Sequence, residues 1–159
     1  MVIEMITLNE FADVSKHPVY TFESKMARAY VKAVEDLESA KRDRGTSSHL
    51  TEDAQRRVAE IQSDIENFID IVGSYSRRDV AEKLHRSKLD IAGAKRHARN
   101  LVKKAHLENP DMSPDNVEKL DVVQDAFAKR DAIVSELKPV VADSERKLRE
   151  AEEILEKYG

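Results

Sequence analysis

The chain has 159 residues and a net charge of −4 from 27 basic and 31 acidic side chains, a single-domain length on the usual prior of about 100–200 residues per domain. It is 40% hydrophobic but only 5% aromatic, with 36% charged residues, no Trp, four Gly and four Pro. This balance argues against a β-sandwich or barrel, which needs more turn residues and β-branched runs, and the supply of Leu, Ile, Val and Ala argues against disorder throughout.

The absence of cysteine excludes disulfides, zinc-thiolate sites, iron-sulfur clusters and a thiol nucleophile. The opening MVIEMITLNEF carries acidic residues where a signal peptide needs a basic patch. No apolar run approaches the roughly 18 residues of a membrane span. A cytoplasmic protein without a membrane partner is the expectation.

Residues 1–18 form an N-terminal segment in which Thr7 and Glu10 fit a capping box, so a short helix over 8–14 is predicted before Pro18 interrupts it. The first long helix is predicted over 19–45. Phe22, Met26, Ala29, Ala33, Leu37 and Ala40 keep a helical period there, and Gly45 sits where a C′ glycine belongs. The second is predicted over 51–73, with Thr51 as N-cap and Glu52 and Asp53 in the first turn, where the helix dipole favours negative charge. Its apolar positions Ala54, Val58, Ile61, Ile65, Phe68 and Val72 alternate steps of four and three, a heptad seam, and Gly73 ends it.

The third helix is predicted over 76–108, capped by Ser76, with the seam Val80, Leu84, Ser87, Ile91, Ala94, Ala98, Leu101 and Ala105. Its small residues let a partner helix approach toward the short end of the usual interaxial range of about 8–10 Å. The fourth is predicted over 113–158, opened by Ser113 and by Pro114 at the first helical position. Its seam runs Leu120, Val123, Phe127, Arg130, Val134, Leu137, Val141, Ser144, Leu148, Ala151, Leu155 and Tyr158. Pro139 removes one backbone hydrogen bond and clashes with the Ser135 carbonyl, which predicts a kink, while the seam keeps its register across it.

Heptads of this kind specify an all-α fold. The expectation is an elongated helical bundle or antiparallel coiled coil with four main helices. A single helix over 114–158 would span about 68 Å, whereas a compact chain of this length has a radius of gyration of about 15 Å. Either the last helix folds back at Pro139, or part of its seam, with Val141, Leu148, Ala151, Leu155 and Tyr158, is covered by a second copy. A homodimer is the favoured reading.

No constellation suits catalysis, a cofactor or a metal. The histidines at 17, 49, 85, 97 and 106 include a single Glu-x-x-His pair, Glu82 with His85, where a helical di-iron site needs two. Glycines at 45, 73, 93 and 159 make neither a P-loop nor a dinucleotide-binding turn. A nucleophile elbow is lacking too. Charge, however, is unevenly distributed: residues 77–106 hold ten Lys or Arg against three acidic residues, a net +7 that leaves −11 for the remainder.

Lys88, Lys95, Arg99, Lys103 and His106 fall on one stripe, with Arg86, Arg96 and Lys104 nearby. Two uses fit it: neutralising the second and fourth helices, each of net −4, or meeting the phosphates of a nucleic acid. The run from Arg77 through Ala81, Leu84, Ser87 and Ile91 to Lys95 also resembles a bacterial helix-turn-helix, which implies a recognition helix over 88–99. The competing reading is one continuous helix, because the heptad keeps phase and His85 stands where the motif has glycine. A non-enzymatic scaffold or adaptor acting by self-association and protein contact is the expected function, with nucleic-acid binding through 77–106 as the alternative.

Overall fold

The computed structural model of the chain describes residues 23–45 and 48–158. The segment 1–18, with its short helix over 8–14, and the start of the first long helix lie outside them. Among the described residues the protein is an all-α bundle of five helices without a strand. These are α1 (Ser24–Arg44), α2 (His49–Val72), α3 (Arg78–Glu108), the short α4 (Pro114–Glu118) and α5 (Asp121–Leu155), which ends in a 3₁₀ turn, Glu156–Tyr158.

The helix ends follow local chemistry. Gly45 and Gly73 adopt positive φ, 82° and 75°, and return their N–H groups to Lys41 and Ile69. The cap of α2 is Ser48 and not Thr51: the Ser48 hydroxyl accepts the Thr51 N–H at 3.1 Å, so the helix starts two residues earlier than predicted. Thr51 is instead fully buried, and its hydroxyl donates to the Gly45 carbonyl at 2.7 Å, tying the start of α2 to the end of α1. Ser76 contributes at the head of α3 by accepting the Arg78 N–H at 3.3 Å.

The predicted helix over 113–158 is divided, and not at Pro139. Ser113 caps α4 with Pro114 in its first turn, as expected, but the helix stops at Lys119. The Leu120 carbonyl then accepts the N–H groups of Val123 and Gln124 to open α5. Packing accounts for the break. Val117, Leu120 and Val123 all join one core cluster, Val117 and Val123 with no exposure, and three residues three apart drift round an α-helix unless the backbone tightens between them. Past that point α5 runs unbroken through Pro139.

Two compact units divide the chain, the described residues up to Val80 with those from Lys147 onward, and Ala81–Arg146. In the first, α1 and α2 form an antiparallel hairpin. Met26, Tyr30 and Val34 of α1 pack with Ile61, Ile65 and Phe68 of α2, and Ala151 and Leu155 of α5 complete the cluster. The apolar period of α1 is displaced from the predicted one. Met26 and Ala33 are buried as read, but Ala27, Tyr30 and Val34 hold the rest of that face, while Ala29, Leu37 and Ala40 are half-buried.

Polar anchors surround that core. The Gln62 amide donates to the Tyr30 hydroxyl at 2.8 Å. Asp64 receives Lys157 at 3.1 Å and also the Tyr158 hydroxyl. Arg77 reaches Glu23 at 2.8 Å and also meets Glu152.

In the second unit α3 and α5 run antiparallel, with the short α4 in the connection that joins them. Ala105, Val117 and Val123 form the buried cluster, flanked by Val102, Leu120 and Phe127. Lys88 of α3 pairs with Glu145 of α5 at 3.2 Å toward the other end. The seam points inward as its spacing predicts: Ser87, Ala98 and Ala105 of α3 are buried, and so are Val123 and Ser144 of α5. Arg130, the charged member of the seam, lies 4.7 Å over the Phe127 ring and bonds Asp131 at 2.9 Å, so its stem joins the packing while its charge is met.

Candidate interaction surfaces

Because small and apolar side chains of α3 take the inward stripe, the cations that alternate with them are turned outward. Arg86, Lys88, Lys95, Arg96, Arg99, Lys103 and Lys104 are all exposed, and His106 is half-buried. Neutralisation by neighbouring helices is confined to Lys88 with Glu145; Lys104 pairs with Glu108 of its own helix at 3.9 Å. Among the described residues Arg86, Lys95, Arg96, Arg99 and Lys103 make no ion pair. Within the chain, then, Arg77 and Lys88 of the basic stretch reach carboxylates of α5, Glu152 and Glu145, and the outward cations from Lys95 to Lys103 do not. Acidic residues of α2 and α5 find other partners, including Arg56 for Asp53, Lys157 for Asp64 and Arg146 for Asp143.

The helix-turn-helix resemblance does not survive. His85 and Arg86 lie inside α3, a single helix of 31 residues, and among the described residues no non-glycine residue has positive φ. The segment 88–99 is therefore the middle of a long helix and not a separate recognition helix. The phase of the heptad carried the information.

The residues read as a self-association seam are used within the chain. Ala151 and Leu155 belong to the core of the first unit, where α1 and α2 cover them, and Leu148 and Tyr158 pack against it. Val141 is half-buried in the second unit. In the first unit Tyr158 is held by its bond to Asp64, and burial together with that bond pushes its hydroxyl well above the ordinary tyrosine range. Hydrogen bonding to Glu23 likewise raises the affinity of the Arg77 guanidinium for its proton.

A surface that the seam reading missed lies on the second unit. Val122 and Ile133 of α5 are 52% and 38% exposed. With Ala94, His97 and Leu101 of α3 and Asp125, Ala126, Lys129 and Arg130 of α5 they line a cleft of about 330 Å³. The signal in the sequence is the row 122, 126, 129, 133, a second helical stripe beside the seam, masked by the charge of Lys129. Leu89 and Leu107 of α3 are also exposed.

Among the described residues no group of three or more His, Asp or Glu is placed to hold a metal ion, and no helix is long and apolar enough to cross a membrane. Comparison with protein-family models, with curated proteins and with solved structures finds no match to this chain.

Proposed function

We propose that this protein is a non-enzymatic helical scaffold that acts by self-association, with the α3–α5 cleft of the second unit as the docking surface for the same cleft of a second copy. The observation that carries the reading is a two-helix unit whose α5 keeps Val122 and Ile133 exposed beside a formed cleft. Two such hairpins face to face make a four-helix layer, the arrangement that covers an apolar stripe left open by two helices.

The cleft is suited to a twofold contact. In an isologous interface each patch meets itself. Asp125 and Lys129 lie one helical turn apart on the lining of α5, so antiparallel α5 helices set Asp125 of each copy near Lys129 of the other. Burying the exposed parts of Val122 and Ile133 on both copies contributes at most about 6–12 kcal/mol. Association costs of about 4–15 kcal/mol oppose this, so the expected dimer is no tighter than micromolar.

Sedimentation equilibrium tests it. The unmodified protein should pass from monomer to dimer at micromolar concentrations, and Ile133→Asp should remain monomeric with its helical circular dichroism intact. A monomer at about 100 μM, the weak end of micromolar association, or a dimer unaffected by Val122→Asp and Ile133→Asp, would overturn the reading.

A further inference from the structure

The outward face of α3 is distinct from that cleft and makes a separate demand. Lys95, Arg96, Arg99 and Lys103 are exposed, and among the described residues none of them has an ion-pair partner. From residue 91 to 106 the chain has no acidic residue at all. Holding four like charges within about two turns of one helix costs stability, since like charges at i, i+4 repel by a few tenths of a kcal/mol each. Packing compensates little, because these side chains are exposed. An anionic ligand does.

We infer that this face of α3 binds the phosphate backbone of duplex nucleic acid, without reading its sequence. Charge density selects that partner over an acidic protein. The distance from Lys95 to Lys103 is about 12 Å along a helix axis, and over that length a duplex offers about seven phosphate charges, one per 1.7 Å. An acidic protein would have to hold its own carboxylates at spacings matched to these four cations, whereas a duplex supplies phosphates all along its length.

Two of the four are arginines, whose planar fork binds phosphate in bidentate fashion. Next to Arg99 the exposed Asn100 adds an uncharged donor. The face has no aromatic residue on which unpaired bases would stack, so a duplex is preferred to a single strand. With α3 continuous, the helix lies along the backbone and does not present a separate element to the major groove. The inference does not depend on the proposed dimer, since it uses a different face of α3.

Fluorescence anisotropy with a labelled 20-base-pair duplex of arbitrary sequence is the test, run on the full chain. Binding is expected at about 50 mM salt. Four phosphate contacts give a slope of log K against log salt between −3 and −4, which is about a hundredfold loss on passing from 50 to 200 mM.

The double change Lys95→Glu/Arg99→Glu should abolish binding while helicity and sedimentation stay as they were and the melting temperature does not fall, since the change relieves like-charge repulsion. Lys103→Gln should lower the slope by about one. A second, unrelated duplex should bind within about twofold, as expected of contacts that carry no sequence information. Absence of binding at low salt, unchanged binding by the double variant, or competition by poly-glutamate as effective as that by duplex would overturn the inference, the last by assigning the face to acidic protein.

Discussion

Removal of the Glu23 carboxylate is expected to cost the first unit more than removal of Glu152, the other carboxylate that meets Arg77. Glu23 sits just ahead of α1, and its Oε1 accepts both the backbone N–H of Arg77 at 3.1 Å and the Nε–H at 2.8 Å, while Oε2 lies 3.4 Å from a terminal guanidinium nitrogen. Its N–H in turn donates to the Tyr75 carbonyl at 3.1 Å. The beginning of α1 is thereby fastened to the turn between α2 and α3. The Glu23 side chain is 18% exposed and that of Arg77 36%, whereas Glu152, the other partner of Arg77, is 54% exposed.

Hydrogen bonds to charged groups contribute about 1.5–3 kcal/mol, and the partial exposure of Arg77 argues for the lower part of that range. Glu23→Ala should therefore cost about 1.5–2 kcal/mol. Glu152→Ala removes an exposed pair and should cost less than about 0.5 kcal/mol. Equilibrium unfolding in urea measures both through a shift in midpoint at constant slope. Equal losses from the two variants, or a larger loss from Glu152→Ala, would refute the argument that burial and the backbone bond set the ranking.

Gly93 lies inside α3 with nothing within 4 Å of an added Cβ, so Gly93→Ala should raise stability by about 0.5–1 kcal/mol in thermal melts. Gly73, at φ 75°, should respond with the opposite sign, because alanine is strained in the left-handed region. For Tyr158 the folded chain holds the hydroxyl proton more tightly than the unfolded chain. Its contribution is complete below the ordinary tyrosine pKa of about 10 and is lost as pH rises above it. Spectrophotometric titration should show one phenol fewer in the late-titrating fraction of Tyr158→Phe, and that variant should lose less stability than the parent between pH 10 and 11.

Periodicity determined the class of fold and most of its inward face. The four-three spacing in α3 places Val80, Ser87, Ala98 and Ala105 inside whatever the neighbours are, because the geometry of a helix alone puts those residues on one stripe. The same regularity excluded a turn at His85, and the glycines at 45 and 73 mark helix ends because few other residues adopt positive φ there cheaply. Other features were not local. Ser48 and Thr51 are both good caps, and the choice between them rests on a bond from Thr51 to Gly45 across a loop. The division after Lys119 comes from Val117, Leu120 and Val123 sharing one cluster with Ala105, a demand that no turn residue announces.

The partner of the last seam was likewise undetermined by spacing. A heptad states that Ala151 and Leu155 will be covered and is silent on whether α1, α2 or a second molecule covers them; the tertiary structure assigns them to α1 and α2. The surplus of cations on residues 77–106 was legible from composition, since charge can be counted. Whether neighbouring carboxylates absorb it depends on distances between helices: Arg77 reaches Glu152 and Lys88 reaches Glu145, whereas the cations from Lys95 to Lys103 meet none among the described residues. Sequence fixes which residues lie on a common face of a helix, because that depends on bonds and angles within one segment. What meets each face depends on packing among segments, which no single segment encodes.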